Sequence, residues 1–251
     1  MVLRATVNCD MGEGYSLYSM GDDESLMKTI HLANIACGFH AGDFMVMDKT
    51  VSLAKANNVK VGAHPSLPDH QGFGRREMAI EPDELASCLV YQVGALSGFL
   101  HKNGLVMNHI KPHGAVYGQT ARSPELARAA VGVAKMFNVA YMGLAGTCHQ
   151  TAAEEQGVKF IAEWFADLEY SPEGKLLITK KHDPVSLNEV ETRVRRMLSE
   201  ELVTTKSGTL PIGTGVQDIS ICVHSDSPGA IEIAQTVKRL VDESNKNAGY
   251  Q

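Results

Sequence analysis

Short β-branched, apolar runs alternate with longer helix-patterned stretches along this chain, and the alternation leaves few folds open. The runs are Ala5–Cys9, Leu32–Ala36, Lys60–Ala63, Met107–Ile110, Ala140–Gly143, Lys159–Glu163 and Ile219–Val223. Helical periodicity fills the gaps over Asp22–Thr29, Phe44–Asn57, Pro82–Lys102, Pro124–Met136, Cys148–Gln156, Ser186–Ser199 and Pro228–Asn245. Asp43 and Ser123 stand where N-caps belong, Pro124 suits a first turn, and Asn57-Asn58 and Asn103-Gly104 supply stops. Strand–helix alternation of this kind predicts parallel strands joined by right-handed crossovers. A closed barrel and an open doubly wound sheet both satisfy it. No GxGxxG opens a helix and no Walker A sequence occurs, which favours the barrel.

The expectation is an α/β chain, a (β/α) barrel of about seven parallel strands, with residues 1–251 forming one domain. Tyr170–Pro184 breaks the rhythm with Ser-Pro-Glu-Gly turn chemistry and reads as an excursion or small hairpin. Leu202–Ile212 reads as a second hairpin. A net charge of −6 argues against nucleic acid or an anionic membrane as the main partner. The sequence has no apolar run long enough to span a bilayer. Met1–Arg4 leads straight into a strand-like run, which predicts no signal peptide and a cytoplasmic protein. Five widely spaced cysteines without a CxxC predict buried, reduced thiols.

Polar residues recur where each strand ends. The first strand ends in Asn8-Cys9-Asp10-Met11-Gly12-Glu13, and the second runs through Asn34 into Cys37-Gly38-Phe39-His40. The third ends at His64, the fourth in Lys111-Pro112-His113-Gly114, the fifth in Gly143–Gly146, the sixth in Phe165-Ala166-Asp167, and the last in His224-Ser225-Asp226-Ser227. In a barrel these points share one rim, where barrel enzymes place their catalysts. Asp10 and Glu13 are candidate general bases or cation ligands. A carboxylate inside an apolar mouth is expected to have a raised pKa. Asp10, His40 and His64 could form a metal site or a proton-transfer group, although no HExxH-type spacing supports a metal. Lys111 could bind an anion while His113 moves protons, and Asp167 and His224 could face the same centre. His31, His70, His101, His109, His149 and His182 read as structural or surface residues. Gly72-Phe73-Gly74-Arg75-Arg76 offers two guanidinium forks, with Arg76 the expected anion contact. The Ser227-Pro228-Gly229 step could present backbone N–H groups to an anion.

The strings NCDMGEG, GDDE, ANIACGFHAGD, VGAHPSLPDHQGFGRR, YQVGAL, HIKPHGAVY, GLAG, FAD and CVHSDSPGA occur in this order over about Val7 to Lys238. Together they resemble the LamB/YcsF family. The resemblance implies a β/α barrel of the glycoside hydrolase/deacetylase type. It also implies the A component of an ATP-dependent 5-oxoprolinase, which opens the lactam of 5-oxo-L-proline to L-glutamate as ATP is cleaved to ADP and phosphate. Separate B and C subunits are the implied partners, the small-molecule lactam the implied ligand, and fungal members are linked to lactam utilisation.

On that reading Asp10 or Asp167 activates water. His40, His64, His113 and His224 carry protons or hold an anion, and Lys111 or Arg76 binds charge. Asn8 and Asn34 join Arg76 as expected substrate contacts. ATP falls to the partner subunits, because this chain has no recognisable phosphate-binding loop, and a divalent metal is a further candidate cofactor. A homo-oligomer is a further assembly compatible with the sequence. Leu168 stands where many members carry an arginine after the Asp of FAD, Ser225 interrupts what is often VHGD, and Ser66-Leu67 replaces a Gly and an aromatic. Two other functions fit the same rim: a metal-dependent amide hydrolase or deacetylase working without ATP, and a small-molecule-binding subunit without chemistry.

Overall fold

The structure is a computed structural model and describes residues 3–172, 174, 176–177, 184–211 and 215–250. In chain order its elements are β1 (Arg4–Met11), α1 (Asp23–Leu26), β2 (Leu32–Ala36), α2 (Phe44–Ala56), β3 (Lys60–His64), α3 (Pro82–Asn103) and β4 (Met107–Ile110). They continue with α4 (Gly114–Arg122), α5 (Pro124–Met136), β5 (Ala140–Leu144), α6 (Cys148–Gln156) and β6 (Phe160–Phe165). The last are β7 (Glu169–Tyr170), β8 (Leu176–Leu177), α7 (Leu187–Glu200), β9 (Leu202–Thr205), β10 (Gly208–Pro211), β11 (Asp218–Val223) and α8 (Ala230–Asn247).

Seven strands close into a barrel in the order β1-β11-β6-β5-β4-β3-β2, and every pairing in it is parallel. Strand β1 seals the ring by pairing with β2 on one side and β11 on the other. This is the expected barrel. Its strands are buried on almost every residue, as strands covered by helices outside and side chains inside must be. The helices turn their apolar stripes inward. In α3, for example, Leu85, Leu89, Val93, Leu96 and Leu100 recur at helical spacing and are all buried.

Local chemistry sets most boundaries. Asp43 accepts from Met45 and Val46 N–H at 2.8 and 2.9 Å and starts α2. Ser123 caps α5 through Leu126 N–H, and Gly104 ends α3 with φ at 68°. Three expectations shift. The Asp22–Thr29 stretch is a single turn of helix, capped by Asp22. The last helix starts at Ala230 rather than Pro228. Helix α4 went unforeseen, because it begins at a glycine and His113 gives it no side-chain cap. Burial of Ala115, Val116, Tyr117 and Thr120 holds it in place.

The two irregular segments form one small sheet, ordered β10-β9-β7-β8. The hairpin expected over Leu202–Ile212 is β9 with β10, although Ile212 itself lies outside the described residues. The Tyr170–Pro184 excursion supplies Tyr170 of β7 and all of β8, while residues 178–183, His182 among them, lie outside the described residues. All five cysteines are free, and three of them are buried. Among the described residues no helix is long and apolar enough to cross a membrane.

Candidate active site

Side chains alternate faces along a strand, so residues two apart on β1 or β4 enter the barrel together. Asn8 and Asp10 do so from β1, and His109, Lys111 and His113 from β4 and its extension. All five are buried. Gly62 makes room for His109, since a Cβ there would run into its ring. At the bottom Asn8 donates from Nδ2 to Ser220 Oγ at 2.8 Å. Asn34 donates from Nδ2 to Asn8 Oδ1 and to Asp10 Oδ1, both at 2.8 Å, and His109 donates to Asn34 Oδ1 at 2.7 Å. Lys111 Nζ tops this ladder, 2.8 Å from Asp10 Oδ1 and 2.7 Å from Glu163 Oε1, with Cys222 Sγ at 3.4 Å.

The electrostatics follow from those contacts. Burial alone would raise Asp10, but the charges of His64 and Lys111 outweigh it and hold the carboxyl well below the usual carboxylate range. The raised Asp10 pKa expected from an apolar mouth is therefore reversed. That expectation fits Glu13, which burial raises despite the opposing pull of His113. Lys111 loses hydration on burial, yet Asp10, Cys222 and Glu163 keep its pKa well above the ordinary value. Burial, reinforced by Lys111, lowers His109 to about 3.

A second group surrounds Glu13. His40 and His113 stack with ring centroids 3.7 Å apart and planes within 4°. His40 Nε2 lies 3.0 Å from Glu13 Oε1 and His113 Nδ1 lies 3.6 Å from the same oxygen. His113 Nδ1 is 2.9 Å from His64 Nε2, which is itself 3.2 Å from Asp10 Oδ2. Glu13, His40, His64 and His113 each place one candidate ligand atom within 4.8 Å of the others. Asp10 falls in a separate candidate group with Cys222 and His224, so the expected Asp10/His40/His64 trio is not one ligand set, although Asp10 Oδ2 and His64 Nε2 are 3.2 Å apart. Burial, reinforced by neighbouring imidazoles, lowers His40 and His113 well below the usual imidazole range. Gly74, at φ 64°, lets the Phe73–Arg75 loop close over this group where a Cβ would press on Ser66, His40 and His113.

Across the mouth His224 pairs with Asp167. Its Nδ1 lies 3.0 Å from Asp167 Oδ1, and its backbone N–H and Ser227 Oγ donate to Oδ2 at 2.9 and 2.8 Å. Burial works against the His224 charge, but Asp167 outweighs it and pushes the pKa up to about 9. Asp167 is lowered in turn, because His224 overcomes its own burial. Ser227 thus serves a carboxylate here, where the sequence suggested an anion cradle.

One cavity gathers Asp10, Glu13, His64, Lys111, His113 and His224, with Arg75, Phe165 and Leu168 on its walls. Asn8 and Asn34, the expected substrate contacts, are fully buried and do not line it. Arg76 does not line this cavity and is engaged by Asp69. The cavity-lining guanidinium is that of Arg75, 5.1 Å over the Phe73 ring and 3.7 Å from Asp226.

This arrangement has close relatives. The family description LamB/YcsF matches residues 5–249. The chain belongs to the LamB/YcsF family. It is similar to the lactam utilization protein lamB of Emericella nidulans, at 47% identity over 249 residues, 98% of each chain. It is also similar to the A subunit of 5-oxoprolinase from Natranaerobius thermophilus, at 42% identity over 242 residues, covering 94% of this chain and 93% of that one. The crystal structure of a lactam utilization protein from Thermus thermophilus superposes with a TM-score of 0.85 at 36% identity, covering 100% of this chain and 98% of that one.

In this LamB/YcsF chain two buried partners of the site, Glu163 against Lys111 and His109 against Asn34, stand outside the expected set, and Arg75 lines the cavity in place of Arg76. Glu163 interrupts the apolar run FIAEWF, and a charge inside a buried strand is a usable signal. His109 stands two residues before Lys111, so period-two alternation alone puts it inside. Arg75 and Arg76 are adjacent, and only the course of the loop separates their roles. Leu168 is buried on the cavity wall and brings no charge.

Proposed function

We propose that this chain is the A component of an ATP-dependent 5-oxoprolinase, a cytoplasmic enzyme that opens 5-oxo-L-proline to L-glutamate. The observation that carries the reading is the cavity in which an ionised Asp10, the ammonium of Lys111 and a protonated His224 face one space, in a chain of this family. Opening a lactam needs water added to the carbonyl carbon and a proton given to the departing nitrogen. Asp10 stays ionised to take the proton from water, and Asn34 and Lys111 hold it in place. His224, kept charged by Asp167, is the acid aimed at the nitrogen. Lys111 offsets negative charge on the carbonyl oxygen and on the phosphoryl group it receives. Arg75 receives the substrate carboxylate, which Leu168 cannot do. Asn8 and Asn34 brace Asp10 from below.

A stable five-membered amide gains reactivity when its oxygen is phosphorylated: water adds at that carbon, the nitrogen departs with its proton to leave an acyl phosphate, and a second water releases the phosphate to give the carboxylate. ATP is handled by the B and C partner subunits, since this chain has no recognisable phosphate-binding loop. Several relatives are named as one lettered component of 5-oxoprolinase, which supports such an assembly. The Glu13/His40/His64/His113 group favours a second reading, a metal-dependent amide hydrolase that needs no ATP.

The deciding experiment measures glutamate release from 5-oxoproline with ATP, for this chain alone and with purified B and C subunits, beside Asp10→Asn. The expected outcome is glutamate only with partners and ATP, lost in Asp10→Asn. No glutamate in any combination, with EDTA-sensitive hydrolysis of another lactam or an acetamide, would sink the reading in favour of the second.

A further inference from the structure

The ring nitrogens beside Glu13 have their hydrogens assigned by their surroundings. His64 Nδ1 lies 2.8 Å from the Lys111 carbonyl oxygen, and His113 Nε2 lies 2.8 Å from the Phe73 carbonyl oxygen. A carbonyl can only accept, so each imidazole donates outward through that nitrogen. The nitrogens that remain, His64 Nε2 and His113 Nδ1, face each other at 2.9 Å. Two carboxylate oxygens complete the cluster: Asp10 Oδ2 is 3.2 Å from His64 Nε2 and Glu13 Oε1 is 3.6 Å from His113 Nδ1. Four lone-pair-bearing atoms thus converge on one point. A lone proton on His64 could serve two of them, whereas a metal ion serves the whole set.

We infer that His64 Nε2, His113 Nδ1 and the Glu13 carboxylate form a three-ligand site for a zinc-type divalent ion. Two imidazoles and one carboxylate are a donor set of catalytic zinc, which leaves a fourth position open. Metal–ligand bonds of about 2.0–2.1 Å in a tetrahedron put ligand atoms about 3.3 Å apart. The distances of 2.9 and 3.6 Å bracket that value. His40 is a positioning residue and not a ligand. Its ring lies parallel to His113 at 3.7 Å, so an ion in the His113 plane lies outside the His40 plane. His40 directs Nε2 to Glu13 Oε1 at 3.0 Å instead. Each ligand then has an outer partner: the Lys111 carbonyl, the Phe73 carbonyl and His40, as metal ligands characteristically do. The open position faces the cavity shared with Asp10 and Lys111. A carbonyl oxygen polarised there meets the base proposed above. The ion's presence does not depend on the 5-oxoprolinase reading; only its use on a lactam carbonyl does.

The test uses the full chain, stripped with EDTA and freed of it, titrated with Zn²⁺ alone and with Mg²⁺ alone, with no lactam, ATP or partner. Calorimetry and elemental analysis should give one zinc per chain and no comparable magnesium. Glu13→Gln and His113→Ala should weaken zinc binding by about 100-fold or more, and His40→Ala by about 10–100-fold with the stoichiometry kept. Cys222→Ser should keep one zinc. Circular dichroism checks that each variant folds. Should His113→Ala not fold, the visible spectrum of the Co²⁺-loaded wild type decides, intense bands of a four- or five-coordinate ion being expected. No stoichiometric zinc on the wild type, unchanged affinity in Glu13→Gln, loss of the site in Cys222→Ser, or a Co²⁺ spectrum of an octahedral aquo ion would overturn the assignment. Complete loss of zinc in His40→Ala would overturn the positioning role of His40.

Discussion

Around β1 to β4 the mouth of the barrel holds His40 and His113, whose charge is suppressed, while at β6 and β11 it holds His224, whose charge is enforced. Burial acts against the charged form in both regions. What differs is the carboxylate available to each ring. Among the described residues Asp167 pairs with one imidazole, His224, with Ser227 as its other side-chain donor. Asp10 is shared by Lys111, Asn34 and His64, and Glu13 lies between His40 and His113. A buried histidine stays protonated when a counter-charge is left for it, and loses its proton when neighbours have already claimed one. The early half of the mouth therefore offers lone pairs and an ionised base, and the late half offers an acid.

Substitutions can break this contrast, beginning with the largest effect. Lys111→Met should leave Asp10 and Glu163 as buried carboxylates without their cation and lower unfolding free energy by about 3–5 kcal/mol, read by urea denaturation near neutral pH. A change below about 1 kcal/mol would mean that the early half does not depend on this ammonium. Asp10→Asn keeps the shape and removes the base, so kcat for glutamate release should fall by about 10²–10⁴-fold. An unchanged kcat would move the base to the other side of the mouth.

The late half makes its own prediction through pH. His224 rises from an ordinary 6.5 to about 9 on folding, so its pairing stabilises the fold fully below pH 6.5 and is lost as pH rises through about 9. The stability gap between wild type and His224→Gln should be about 2–3 kcal/mol at pH 6 and close above pH 9. A gap that stays constant across that window would erase the difference between the halves. The smallest effects separate the two arginines. Arg75→Ala should raise KM for the lactam about tenfold, and Arg76→Ala should leave it within about twofold, because Arg76 already serves Asp69. Equal effects would place the carboxylate elsewhere.

Much of this was legible before folding. The seven strand positions follow from β-branched runs, and the caps of α2 and α5 follow from Asp43 and Ser123. Parallel order then puts every strand's C-terminal end at one rim, which is why Asp10, His64, Lys111, Asp167 and His224 could be named together. Glu163 and His109 were legible in principle from a charge in an apolar strand and from period-two spacing. Helix α4 was not, because packing and not propensity sustains it.

The sequence by itself determined the barrel, the rim and the inventory of acids, bases and cations on it, because periodicity and strand direction are local properties carried by neighbouring residues. Only the tertiary structure decided which carboxylate meets which cation. That choice sets Asp10 low and Glu13 high, enforces the charge of His224, turns the Arg75 guanidinium to the cavity in place of Arg76, and brings the bare nitrogens of His64 and His113 face to face. Coulomb energy and desolvation depend on distances and burial across the barrel, between residues such as Asp10 and Lys111 that stand far apart along the chain.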